Sequence, residues 1–155
     1  ARALMDMFDW QTWPNFYPTQ FHLIPENALT PVIINPDLRI LASPVKHLIP
    51  TIGLRIEFIP QARVVAYSCD TEPVQAVVDL ALGADILFHE AAGPSIGHSS
   101  PQQAGEIALK AGARLLYLIH TPPRKDLQAI ILEQASRAFG GEVFLACDSQ
   151  EIQIK

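Results

Sequence analysis

The stretch Arg63-Val64-Val65-Ala66-Tyr67-Ser68-Cys69-Asp70-Thr71-Glu72-Pro73-Val74 decides the fold. An apolar strand ends on a bare carboxylate, and a helix with a proline in its first turn follows at once. Thr71 reads as the cap of that helix, Val74, Val77, Val78 and Ala81 as its inner face, and Gly83 as its stop. The rhythm then repeats. Ile86-Leu87-Phe88 is a buried strand, and Ser100-Pro101-Gln102-Gln103 is a capping box opening a helix that Gly112 ends. Leu115 to Ile119 is the next strand, and Leu127 to Phe139 carries apolar residues at helical spacing up to Gly140-Gly141. Val143 to Ala146 and Ile152 to Ile154 are read as final strands. Alternating strands and helices over residues 61–155 predict an α/β unit with a mixed sheet flanked by helices.

Working back toward the start, the segment 1–60 obeys another rule. Prolines at positions 14, 18, 25, 31, 36, 44, 50 and 60 leave no room for a long helix after Pro14. Ala1 to Trp13 shows a weak helical face. Phe21-His22-Leu23-Ile24, Val32-Ile33-Ile34, Leu38-Arg39-Ile40-Leu41, Val45-Lys46-His47-Leu48 and Gly53-Leu54-Arg55-Ile56-Glu57-Phe58 read as short strands of an antiparallel layer. Both segments are taken as one domain, whole or partial, over 1–155.

Composition bounds the function. With 155 residues, 49% hydrophobic and 17% charged, the chain can bury one core. No apolar run approaches the roughly 20 residues of a spanning helix, and no basic-then-apolar leader opens the sequence. The net charge is −5 with scattered basic residues, which argues against a broad phosphate-binding face and in favour of a small substrate. Cys69 and Cys147 sit at the ends of what read as neighbouring core strands, so buried thiols in a reducing compartment are expected, and with them a cytoplasmic location.

The ionisable residues cluster at strand ends. Asp70, His89-Glu90 and His120 each close an apolar run, His98 sits in the glycine-flanked loop Gly93-Pro94-Ser95-Ile96-Gly97, and His47 ends a short strand of the proline-rich half. In such sheets ligands sit beyond the carboxyl ends of the strands. Each residue also has an ordinary structural reading: Asp70 as a helix cap, His120 as a hydrogen-bonded core imidazole, His98 as a loop residue, His22 as structural. An ionised Glu90 at the end of a buried strand needs a partner, and His98 is the candidate. A Glu–His pair near a metal can hold the imidazole protonated for donation to a leaving oxygen. His89 is assigned to the opposite face of its strand, as packing or as support behind the site. His47, Asp70 and His120 are donor types that zinc favours, and a carboxylate can bridge two ions.

Taken in order, Ser43-Pro44-Val45-Lys46-His47 with Pro50-Thr51-Ile52-Gly53-Leu54-Arg55, then Tyr67 to Thr71, Phe88 to Ala91, Gly97 to Ser100, and Leu118 to Thr121 with Arg124, resemble the metallo-β-lactamase superfamily and its tRNase Z-like branch. The resemblance runs from about Pro44 to the end and matches the C-terminal half of that family. It implies half of an αββα sandwich, with His47 a ligand of a first metal, Asp70 a bridging carboxylate, His120 a ligand of a second, and Glu90–His98 the pair behind a general acid. It also implies two zinc ions in the complete protein, or manganese or iron, and a phosphodiesterase using a metal-bound hydroxide on a small phosphoester or ester. Cys69 stands where such proteins often have Gly. The family's His-x-His-x-Asp-His segment, which supplies most ligands, is absent, so the isolated chain is expected to be inactive. Because the chain starts with Ala1, a first half carrying those ligands is expected upstream; a degenerate, non-catalytic binding or scaffold relative is the other reading. Residues 53–64 read as a plain hairpin where tRNA-trimming enzymes insert a long arm, which weakens RNA 3′-end cleavage as the activity. A half-sandwich would leave one apolar sheet face bare, so pairing, as a homodimer or with a complementary chain, is expected, with no membrane partner.

Overall fold

The computed structural model describes residues 2–15 and 20–154. Among these, seven strands form one mixed sheet in the order β1 (Thr30–Ile34), β2 (Leu38–Val45), β3 (Thr51–Phe58), β4 (Arg63–Tyr67), β5 (Ile86–Glu90), β6 (Leu115–Ile119) and β7 (Glu142–Leu145). The first four pair antiparallel and the last four parallel. The proline-rich half is therefore a meander, because tight turns suffice between antiparallel neighbours, whereas each parallel step requires a crossover helix. Those helices are α2 (Gln75–Ala81), α3 (Pro101–Ala111) and α4 (Gln128–Phe139), while a short α1 (Arg2–Met7) opens the chain.

From β4 to β7 the chain always steps the same way across the sheet. Right-handed crossovers then put α2, α3 and α4 on one face. The core lies between them: Ala66, Leu87, Leu116 and Leu118 of the strands meet Val77, Ala81, Ala104, Ile107, Ala108, Ile131, Ala135 and Phe139 of the helices. Gly105 brings α3 against α4 so closely that a Cβ there would stand 2.4 Å from the Ala135 carbonyl oxygen. The opposite face carries Ile56, Phe58, Val65, Ile86, Phe88, Leu115 and Tyr117, against which Ile152 and Ile154 of the C-terminal tail pack. Tyr117 stacks on Phe144 at 5.0 Å, and Phe144 is still 37% exposed. This face is not the bare one expected of a half-sandwich: Val65, Ile86 and Tyr117 are buried and their apolar neighbours partly so, with the tail isoleucines packed against them.

The capping signals of α3 hold: Ser100 Oγ accepts the Gln103 N–H, Gln103 returns the bond to Ser100 N–H, and Gly112 closes the helix at φ 63°. Other expectations are corrected. Thr71 caps nothing; α2 starts at Gln75 after Val74, and Thr71 is buried. Phe21–Ile24, Lys46–Leu48 and Ile152–Ile154 join no ladder, and the tail isoleucines are used for packing instead. The helical reading over the start resolves into α1 and a separate 3-10 turn, Trp10–Thr12. Ala1 lies outside the described residues, and so do the side chains of Arg2, Leu4 and Gln11. Cys69 and Cys147 are free, but their strands β4 and β7 are not neighbours, and Cys147 is exposed because it lies past the end of β7.

Candidate functional site

Topology alone brings the ionisable residues together. β4, β5 and β6 run parallel, so Asp70, Glu90 and His120 emerge at one edge. Two antiparallel steps separate β2 from β4, so β2 points the same way and delivers His47 to that edge too. His98 arrives on the loop from β5 into α3. The chain turns sharply there: Cys69 (φ 56°) and His120 (φ 48°) both adopt the left-handed conformation. Strain of this kind in residues other than glycine persists where the surroundings enforce it, often beside functional groups. For Cys69 it accounts for a position that glycine would fill without strain.

The edge holds a row of three imidazoles. The His47 and His98 rings meet edge to face at 4.9 Å, and the His98 and His120 rings at 5.3 Å. His120 Nδ1 lies 2.9 Å from Asp70 Oδ1. Asp70, His98 and His120 each present a ligand-type atom, and these atoms all lie within 4.8 Å of one another. Two imidazole nitrogens and a carboxylate oxygen at this separation fit a zinc-type centre, whose ligands sit about 2.0–2.2 Å from the ion. The structure therefore gathers Asp70 with His120, sets His47 one ring further along, and adds His98 to the donor cluster.

Glu90 explains how His98 is held. Its side chain is fully buried, yet both oxygens are satisfied: Oε1 accepts the N–H groups of Ser99 (2.8 Å) and Thr71 (3.2 Å), and Oε2 accepts that of Ala92 (2.8 Å). Backbone donors offset the cost of a buried carboxylate. His98 Nδ1 completes the set at 3.2 Å from Oε1. A carboxylate only accepts, so Nδ1 carries a proton. His47 is fixed the same way, with Nδ1–H donating to the Gly97 carbonyl at 2.8 Å, so that in the neutral ring the lone pair lies on Nε2.

His89, on the other side of its strand from Glu90, is fully buried in the helix layer, with Nδ1 at 2.7 Å from the Glu90 carbonyl oxygen. Burial holds its imidazole well below the usual value of 6.5, hence neutral. His22 is exposed. Several supporting residues carry no signal that spacing reveals. Ser68 Oγ accepts the Glu90 N–H at 3.1 Å, Ser99 Oγ donates to the Thr71 carbonyl at 2.7 Å, and Thr71 Oγ1 accepts the Lys46 N–H at 3.2 Å. A buried glutamate's demand for donors is the one clue that points to them. Two clefts flank the imidazole row. One of about 770 Å³ is bordered by His47 and apolar residues including Pro44, Leu48, Ile49 and Val74; the other, about 390 Å³, is bordered by His98, Ser95, Ile96 and Gln103.

Known proteins share stretches of this sequence and its fold. Ribonuclease Z of Saccharolobus solfataricus is 40% identical over 97 residues, which is 59% of this chain and 33% of that protein. Ribonuclease Z of Thermoplasma acidophilum is 32% identical over 105 residues, 63% of this chain and 34% of that protein. The chain thus spans about a third of the length of these relatives. Human tRNase Z, short form, superposes with a TM-score of 0.62 at 25% identity, covering 81% of this chain and 47% of that one. The metallo-beta-lactamase fold protein YhfI of Bacillus subtilis superposes with a TM-score of 0.68 at 24% identity, covering 93% and 59%, a likeness of fold. The Beta-lactamase superfamily domain matches residues 7–121, across the meander and all three parallel strands that carry Asp70, Glu90 and His120, and the chain belongs to that family.

Proposed function

We propose that this chain forms part of a metal-dependent phosphodiester hydrolase. The observation that carries the reading is the cluster of Asp70, His98 and His120 at the sheet edge, with His98 anchored to a buried carboxylate. Asp70, His120 and His47 would hold the metal, His47 through Nε2, since its Nδ1 is engaged with the Gly97 carbonyl. When bound, zinc, or manganese or iron in its place, supplies Lewis acidity that activates water and neutralises charge on a phosphoryl oxygen. Glu90 orients His98 through Nδ1, and His98 delivers a proton to the leaving oxygen. The clefts beside His47 and His98 receive the two arms of the diester.

Two substrate classes fit that chemistry. A small phosphoester is favoured by the tight Ile59–Ala62 turn between β3 and β4 and by the net negative charge. RNA is favoured by the relatives, which bear the name Ribonuclease Z. Steady-state hydrolysis of bis(p-nitrophenyl) phosphate and of a precursor tRNA by the zinc-loaded full-length protein separates them. Faster turnover of the small diester supports the first reading and faster 3′ cleavage of the RNA the second. A metal-loaded protein that hydrolyses neither refutes the hydrolase and leaves a binding module.

A further inference from the structure

Glu72 belongs to none of the roles above, yet it touches two of the segments that fill them. Its backbone N–H donates to the Lys46 carbonyl at 2.8 Å, next to His47. Its carboxylate reaches in two directions: Oε2 lies 2.7 Å from Lys46 Nζ, and Oε1 accepts the N–H of Gly97 at 3.2 Å. Gly97 is held from both ends, since its carbonyl accepts from His47 Nδ1 at 2.8 Å. The fit leaves little latitude. Gly97 sits at φ 83°, and a Cβ on it would stand 2.8 Å from His47 Nδ1 and 3.2 Å from Leu48 Cγ. His98 follows directly, with its ring tied to Glu90 on the inner side.

Two contributions can be weighed. The Lys46 ammonium is 65% exposed, so its pair with Glu72 is a surface ion pair of small worth. The Gly97 contact is partly buried and sits between two imidazoles whose orientation matters. A carboxylate that orients the backbone behind a metal-ligating histidine is the kind of support whose loss typically costs about 10–100-fold in affinity or activity.

We infer that Glu72 is a positioning residue: by pinning Gly97 it makes the Gly97 carbonyl fix His47 with Nδ1 protonated and Nε2 free, and holds His98 in line with Asp70 and His120. The inference rests on the hydrolase reading for its kinetic consequence and on geometry alone for its effect on His47. Glu72 contributes through Gly97 and touches no reacting atom.

The test compares Glu72→Ala, Glu72→Gln and Lys46→Met in the full-length protein, with two readouts. Imidazole ¹⁵N shifts of His47 in metal-free protein report the tautomer, and kcat and KM on bis(p-nitrophenyl) phosphate report catalysis. Glu72→Ala is expected to lose the single Nδ1–H tautomer of His47 and to lower kcat about 10–100-fold with little change in KM. Glu72→Gln, whose amide oxygen can still accept from Gly97, is expected to restore both, and Lys46→Met to keep the single His47 tautomer. Wild-type tautomer and kcat in Glu72→Ala would overturn the inference, as would an equal loss of the tautomer in Lys46→Met. If Glu72→Ala does not fold, Glu72→Gln decides: an averaged His47 tautomer there counts against the Gly97 contact. A wild-type protein that binds zinc but cleaves no phosphodiester would sink the hydrolase reading, while the His47 tautomer would still decide the role of Glu72.

Discussion

Replacing His98 with alanine removes one imidazole that two arrangements could claim. His98 stands within 4.8 Å of the Asp70 and His120 donor atoms, as a ligand would, and its Nδ1–H is bound to the buried Glu90 carboxylate 3.2 Å away, as a proton donor's would be. In the proton-donor arrangement, loss of the ring leaves Asp70, His120 and His47 in place. Turnover then falls by about 10²–10⁴, the span of a general acid, or about 2.7–5.4 kcal/mol at 1.36 kcal/mol per tenfold. Glu90 keeps its three backbone donors, so the fold is retained. The assay is kcat on a chromogenic diester across pH for the zinc-loaded full-length variant, with zinc counted by mass spectrometry on the same sample. Unchanged zinc with a collapsed kcat is expected. Zinc lost in step with activity would show His98 to be a ligand and refute the assignment.

Further outcomes follow from the packing. Gly105→Ala is expected to destabilise by about 1–3 kcal/mol through overpacking, because its Cβ would lie 2.4 Å from the Ala135 carbonyl and 3.0 Å from Ala138 Cβ; a thermal melt unchanged from wild type would contradict the α3–α4 contact. His89 is neutral when folded because burial depresses its pKa below the unfolded value of 6.5. Its contribution is therefore complete above pH 6.5 and is lost as the pH falls below that value toward the folded pKa, by up to about 1.4 kcal/mol per pH unit. Urea midpoints between pH 7 and 5 should fall less steeply in His89→Asn than in the wild type, and equal slopes would argue that His89 is charged in the fold. The partly exposed apolar side chains on the sheet face opposite the helices, Phe88 and Phe144, should make the isolated 155-residue chain self-associate in size-exclusion chromatography. A monomer at all concentrations would mean that Ile152 and Ile154 cover that face well enough.

The second half of the chain was legible because its signals are local. The capping box at Ser100, the left-handed glycines at 112 and 140, and uninterrupted apolar strands all act within a few residues. The first half was harder because proline reads as a break when taken alone. β2 nevertheless continues through Pro44, since β1 pairs with it only as far as Ala42 and no neighbour on that side needs the missing N–H. Ile152–Ile154 alternates like a strand, but its apolar side chains pack on the sheet face and its backbone joins no edge. In the site, Asp70, Glu90, His98, His120 and His47 were visible as strand-end and loop residues of the right chemistry. Their supports were not, because Thr71, Ser68, Ser99 and Glu72 act through backbone atoms of residues that only the tertiary fold brings near. Thr71 shows the difference plainly: as a helix cap it would serve its own helix, whereas its N–H serves Glu90 and its hydroxyl serves Lys46.

The most direct test of a shared metal centre at the sheet edge is anomalous scattering at the zinc edge from crystals of the full-length protein grown with zinc. A peak about 2.0–2.2 Å from both an Asp70 carboxylate oxygen and a His120 nitrogen, with a second on the His47 side of Asp70 and His98 still bound to Glu90, is the predicted result. Full zinc occupancy at ligands that exclude Asp70 and His120, or no peak at that edge, would contradict it.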